Sequence, residues 1–336
     1  MKKVVTLGEI LLRLSPNGHS RLEEVHNLEV NFGGSEYNIA VALSGYGVDV
    51  SFITRLPNND LGKAARKQMN RYGINSSDII NGGDRMGIYF LENGYSIRPT
   101  KVVYDRKDTS MATLNISEFD IDSILEGADI FHVSGITLGI SEQAAELAKI
   151  FMMKAKEKDI KVSFDFNYRS KIWTLKEATV KYKMVLPYVD ILFGNHLDFC
   201  NLLEKKPENL NEVNIKSYYQ NLYIKMEQTY NIPHLVTSIR DVKTASNNDY
   251  QGILYYNNQI YCSKKYSIDI IDRVGTGDAF SAGYLYSYLA NKKAEETIEF
   301  AVASSVFKHT IPGDVTIANV KEIEDIVNNQ SFGVQR

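Results

Sequence analysis

Asp278 follows two glycines in the run Asp272-Arg-Val-Gly-Thr-Gly-Asp-Ala-Phe-Ser-Ala-Gly283, and an apolar helical pattern starts at once. Glycines let a backbone turn tightly and bring its N–H groups close to a ligand. A helix N-terminus carries orphan N–H donors and a partial positive charge, so it attracts phosphate. An aspartate there repels phosphate. Its presence suits another task, removing the proton of a hydroxyl that attacks the phosphate. The same residue also reads as a helix cap, and the motif alone leaves the two readings level. The run is not a Walker P-loop, because Gly-Lys-Ser/Thr is missing. Nor is it a dinucleotide fingerprint, which belongs in the first strand–helix unit and has a third glycine.

Three further groups carry candidate chemistry. Asn31-Phe-Gly-Gly-Ser-Glu-Tyr-Asn38 has a Gly-Gly turn, which allows close approach of a ligand to backbone or simply joins a strand to a helix. Asp165-Phe-Asn-Tyr-Arg169 gathers Asp, Asn and Arg at a strand's end, a set suited to phosphate and metal contacts. A helix cap with a surface ion pair is the plainer alternative. Tyr104-Asp-Arg106 offers a guanidinium whose fork matches a carboxylate. On a solvated strand edge the same residues would do little.

The elements that must position these residues follow from the pattern. Apolar runs at 4–7, 50–54, 130–134, 161–165, 191–194 and 235–237 read as strands buried on both faces. Helical stretches at 36–45, 62–72 and 142–158 separate them. Such alternation indicates an α/β fold with a mostly parallel sheet, whose ligands bind beyond the strands' carboxyl ends. Segments 252–256 and 259–262 read as a hairpin around Asn257-Asn258. Segments 13–32 and 86–111 break the alternation, and the second is rich in aromatic and β-branched residues. They are expected to form a small sheet standing off the core as a lid, within a single domain covering 1–336. Segment 204–214 reads as a polar loop, and the tail after Ile326 as weakly ordered.

Composition narrows the classes. The chain has 336 residues, 44% hydrophobic and 24% charged, with a net charge of −3. That gives no basic field for nucleic acid, and no run reaches the roughly 20 apolar residues of a membrane helix. The N-terminal run reads as a buried strand and not a signal peptide, since its apolar stretch is short and Glu9 follows. Cys200 and Cys262 lie in no metal-ligand spacing. They are expected as two buried thiols of a cytoplasmic protein.

Taken in order, these motifs resemble the PfkB (ribokinase-like) family of sugar kinases over nearly the whole chain, from Gly8 to Asp314. Gly33-Gly34 with Asn38, and 272–283, match its two signatures. Gly8-Glu9, Arg13-Leu-Ser-Pro16, Tyr104-Asp-Arg106, Asn167-Tyr-Arg169 and Lys308-His-Thr-Ile-Pro-Gly-Asp314 are similar to the branch acting on 2-keto-3-deoxygluconate. The resemblance implies a Rossmann-like core, a β-sheet lid that often mediates homo-oligomers, and ATP with Mg²⁺ as cofactors. It implies Asp278 as catalytic base, with Gly275, Thr276 and Gly277 as the anion hole. Gly34, Tyr89, Tyr104, Arg106, Arg169 and Asp314 would contact the sugar acid. Asn167 and Arg169 would lie toward the nucleotide phosphates, as would Asn195, and Thr237, Ser238 and Arg240 would flank the nucleotide.

The chain departs from the family in several places. Its Asn-x-x-Glu, linked to magnesium, is Asn195-His-Leu-Asp198 here, so Asn195 and Asp198 would act on the metal indirectly. The nucleotide loop Thr-x-Gly-x-x-Gly is Thr237-Ser-Ile-Arg-Asp-Val242, which implies another backbone course over 237–249. An asparagine of the adenine side is Val302.

Overall fold

A computed structural model describes residues 2–208 and 214–328. The central part of the expected polar loop, 209–213, and the tail from 329 lie outside the described residues.

In the main sheet, Asp49–Ile53, Lys3–Leu7, Ile130–Ser134, Lys161–Asp165, Ile191–Phe193 and His234–Thr244 lie side by side, all parallel. Asn247–Tyr256 and Gln259–Cys262 follow antiparallel, and Tyr266–Asp269 pairs with the other half of Asn247–Tyr256. Successive residues of each buried strand feed opposite cores, as the period of two requires. Val5, Phe131, Leu192 and Leu235 enter one core, while Val4, Ile130, Ile191 and Val236 enter the other. Helices cover both faces, which is why these strands read as continuous apolar runs.

The expected helices are Ser35–Gly45, Asp60–Arg71 and Glu142–Glu157. Asn59 and Ser141 cap the second and third through their side chains. The hairpin turn at Asn257-Asn258 has positive φ at both residues, 51° and 59°, as a tight two-residue turn needs.

A separate four-stranded sheet has the order Glu29–Gly33, Leu11–Ser15, Ile88–Glu92, Lys101–Asp105. It uses the two segments that broke the alternation and recruits Leu11, Leu12 and Gly33 besides. The family's nucleotide loop is replaced by strand. His234–Thr244 runs well past the expected end at 237 and pairs along its length with Asn247–Tyr256. Side chains at 239 and 242 favour extended backbone where glycine would favour a turn. One expectation on the cysteines fails: Cys200 is buried, but Cys262 is exposed. It closes the edge strand, which has no neighbour on one side. Among the described residues no helix is long and apolar enough to cross a membrane.

Candidate active site

The sheet's order places Lys3–Leu7 between Asp49–Ile53 and Ile130–Ser134, so successive crossovers diverge there and open a crevice beyond the strand ends. A cavity of about 1300 Å³ lies there. It is large enough for a sugar and a nucleotide together, since pockets for drug-sized ligands run to roughly 300–1,000 Å³. Gly34, Tyr89, Tyr104, Arg106, Asn167, Arg169, Asn195, Asp198, Ser238, Arg240, Gly275, Thr276, Gly277, Asp278 and Asp314 all line it. Thr237 does not. It is buried, and its hydroxyl donates to the Gly194 carbonyl at 2.6 Å and meets Tyr223. Val302 is buried in the core.

The helix Thr276–Leu289 begins at Gly275, whose φ of 77° is left-handed. A Cβ there would lie 1.8 Å from the Asp314 carbonyl oxygen, so only glycine lets the loop rest on that segment. The N–H groups of the first turn have no partner inside the helix. Asp278 sits in that turn with both oxygens held. Ser35 donates to one at 2.7 Å, and the Asn38 amide donates to the other at 2.7 Å. Asn167, at φ 41°, donates to the Ser35 hydroxyl at 2.7 Å. A chain of hydrogen bonds therefore joins the strand-end motif to Asp278. Gly34 makes the approach possible, because a Cβ there would be 2.1 Å from the Glu9 carbonyl oxygen.

Burial pushes the Asp278 carboxyl up to about 6, against the lowering pull of Asn38, Ser35 and Arg169. Asp165 is pushed up to about 7 by burial and by the charge of Asp278. Asp198 rises to about 6 by burial, opposed by the Asn195 N–H and Arg169. Asp198 and Asn195 also cap the helix His196–Leu202 reciprocally. Among the described residues no group of three or more His, Cys, Asp or Glu forms a ready metal cage.

Raised carboxyl pKa values carry a sign for stability. The folded protein holds the Asp165 proton up to about 7, while an unfolded aspartate releases it near ~3.9. Stability contributed by this group is full below the unfolded value and is lost as pH rises toward 7. Asp165→Asn is therefore expected to raise the melting temperature of the ligand-free protein at pH 8 more than at pH 5, by calorimetry.

The small sheet is tied to the Asp278 loop by a buried ion network. Arg13 donates to Asp272 at 2.7 Å, to Asp314 at 2.8 Å and to Ser15 at 2.8 Å. Tyr89 donates to the other Asp314 oxygen. Asp272 also accepts the N–H groups of Val274 and Gly313, at 3.0 and 3.1 Å. Arg13→Met would strand two buried carboxylates, a loss of about 3–5 kcal/mol measured by denaturant titration. Below the loop, fully buried Lys308 donates to the Ile311 carbonyl. Burial lowers its pKa, against Asp272 and Asp314.

Arg106 lines the cavity and pairs with buried Glu9 through Nε, and among the described residues its Nη groups have no further hydrogen-bond partner. Glu9, Arg13, Ser35, Asn38 and Arg273 thus belong to the site without having been assigned roles from sequence. Ser35 and Asn38 follow the Gly-Gly turn directly, so that motif held the available signal.

The profile of pfkB family carbohydrate kinases matches residues 1–227 and 248–320, and the chain belongs to that family. It is similar to the solved 2-dehydro-3-deoxygluconokinase of Thermotoga maritima, with 38% identity and a TM-score of 0.94 over 97% of this chain and 98% of that one. It is also similar to a PfkB family carbohydrate kinase of Listeria grayi, at 35% identity and TM-score 0.92, over 97% of this chain and all of the other. The 2-dehydro-3-deoxygalactonokinase of Haloferax volcanii is 28% identical over 99% of both chains.

Proposed function

We propose that this carbohydrate kinase transfers the γ-phosphoryl group of ATP to the 6-hydroxyl of 2-keto-3-deoxygluconate, giving 2-keto-3-deoxy-6-phosphogluconate. The observation that carries the reading is Asp278, doubly held by Ser35 and Asn38 in the first turn of a helix, where the N–H groups have no partner inside the helix. Both oxygens accept bonds, so the carboxylate is aimed and its remaining lone pairs face the cavity. It removes the proton of the 6-hydroxyl as that oxygen attacks phosphorus. The N–H groups of Gly275, Thr276 and Gly277 receive the charge that develops on the phosphoryl oxygens.

Arg106 suits a sugar acid. Glu9 fixes its Nε side, so the open Nη pair meets the substrate carboxylate without first being ordered. Tyr104 and Gly34 line the same end. Tyr89 and Asp314, which spend their polar atoms on each other and on Arg13, shape this end and hold the small sheet in place. Asn167, Arg169, Asn195, Ser238 and Arg240 face the nucleotide. Mg²⁺ accompanies ATP, bound mainly by phosphate and water. Asn195 and Asp198, which line the cavity at the start of the helix His196–Leu202, fit it as outer partners acting through water. The ion would neutralise phosphate charge.

The small sheet, built from 13–32 and 86–111, acts as a lid on a single ribokinase-like domain. Closing it excludes water as a competing acceptor. Its outer strands expose Val30 and Val103, 59% and 55% accessible, and their open edges suit pairing with a second copy of the chain. A cytoplasmic location fits the two free cysteines.

The test is a panel of sugars and sugar acids with a coupled ADP assay. We expect the highest kcat/KM on 2-keto-3-deoxygluconate, with its C4 epimer as the nearest competitor. Higher values on fructose or ribose would overturn the acid assignment. Sugar binding by calorimetry with no ADP release and no Mg-ATP binding would replace the kinase by a sugar-binding protein.

A further inference from the structure

We propose that Arg240 is a catalytic residue, a side-chain member of the anion hole that contacts the phosphoryl group in transfer. This rests on the kinase reading above and adds a residue to it. The Arg240 Nη2 donates to the Thr276 hydroxyl at 2.9 Å, and Thr276 is the middle residue of the loop that cradles the phosphate. That hydroxyl in turn donates to the Arg273 carbonyl at 2.9 Å. Its hydrogen is spent, so its link to Arg240 fixes the guanidinium beside the free N–H groups of the first helical turn.

Three observations make Arg240 a receiver of an anion rather than a brace. It lines the cavity and makes no ion pair among the described residues. Nearby Asp249 is engaged by Lys243 at 2.8 Å and by Lys265 at 3.4 Å. Second, its face rests on a rigid surface. Arg240 stands opposite Tyr250 in the hairpin register, and its Cζ lies 5.8 Å from the centre of that buried ring. Third, a second guanidinium, that of Arg273, lines the same cavity. Arg273 donates to the carbonyls of Thr244 and Ala245, and burial together with Arg240 holds its pKa below the usual range. Two like charges kept at one end of a phosphate site are unfavourable until an anion joins them. Arg273 spends Nε and Nη2 on the hairpin tip, whereas among the described residues Arg240 spends only Nη2, on Thr276, and keeps Nε and Nη1 for the ligand.

In the transfer, the bond from the sugar 6-oxygen to the γ-phosphorus forms. The bond from that phosphorus to the β–γ bridging oxygen breaks, and ADP leaves with the electron pair. The hydroxyl proton goes to Asp278. Arg240 stays protonated, and its two remaining donors follow the charge on the phosphoryl oxygens. Such an interaction tightens in the transition state, so it raises kcat rather than affinity.

Arg240→Gln is the test, with Arg240→Lys as a second variant that keeps charge and loses the fork. We expect Arg240→Gln to lower kcat about 100-fold or more, with KM for ATP and for the sugar acid little changed. ADP with aluminium fluoride, which mimics the transferring group, should lose affinity by a similar factor, while ADP alone binds as before. Arg240→Lys should recover only part of the rate, and guanidinium ion added to Arg240→Gln should recover some. An unchanged kcat, or a loss confined to KM for ATP, overturns the proposal. If wild-type protein releases no ADP with any sugar, the kinase reading fails instead, which separates the two.

Discussion

Asp278→Asn is expected to fold, bind both substrates, and lose about 100- to 10,000-fold in kcat, the range for removing a positioned general base. The amide keeps the shape and still accepts from Ser35 through its carbonyl, so packing changes little. What is lost is the ability to take a proton. The pH profile provides the stricter check. Asp278 must be ionised to act as base, and its carboxyl is pushed up to about 6. Wild-type kcat/KM should therefore fall as pH drops through that value, and Asp278→Asn should lack that limb. Near-wild-type turnover in the variant would return Asp278 to the role of helix cap.

Arg106→Ala is the second large effect, and it is selective. Losing a bidentate partner should raise KM for a sugar acid about 100-fold, since charge-assisted pairs outweigh neutral hydrogen bonds. KM for a neutral sugar should change much less. Steady-state kinetics on one acid and one neutral substrate decide it, and equal effects on both would remove the carboxylate clamp. The geometry also predicts a smaller, parallel effect for Glu9→Gln. Glu9 does not reach the substrate, but its bond to Nε sets which edge of the guanidinium remains open.

Asp278 and Arg106 differ in how far their partners lie along the chain. The placement of Asp278 at a helix start was legible because that placement is local. Two glycines, an aspartate and a helix start are consecutive, and capping physics acts within one turn. The same holds for the buried strands, whose apolar runs record burial on both faces. Arg106 was legible only as a residue type. Its partner, Glu9, is 97 residues away in sequence. The Arg13 network spans more, with Asp272 and Asp314 separated from it by 259 and 301 positions. No periodicity carries such pairings, because they arise from how the small sheet lies on the core.

The hairpin shows the limit from the other side. The run 237–242 lacks the family's glycines, and that alone indicated a different backbone without saying which. The structure makes it a strand that pairs with Asn247–Tyr256, and this pairing sets Arg240 on Tyr250 and against Thr276. Thr237 illustrates the same point. By its motif it belonged to the nucleotide, yet strand alternation turns its hydroxyl into the core.

By itself, then, the sequence determined the α/β alternation, the anion-attracting helix start and the presence of a carboxylate within it, since these depend on neighbours a few residues apart. Tertiary structure alone decided which side chains hold that carboxylate and which edge of Arg106 is free. It also decided where an arginine from the hairpin meets the loop. Those outcomes depend on the crossing of distant strands, where burial and hydrogen-bond satisfaction are settled between segments that share no local code.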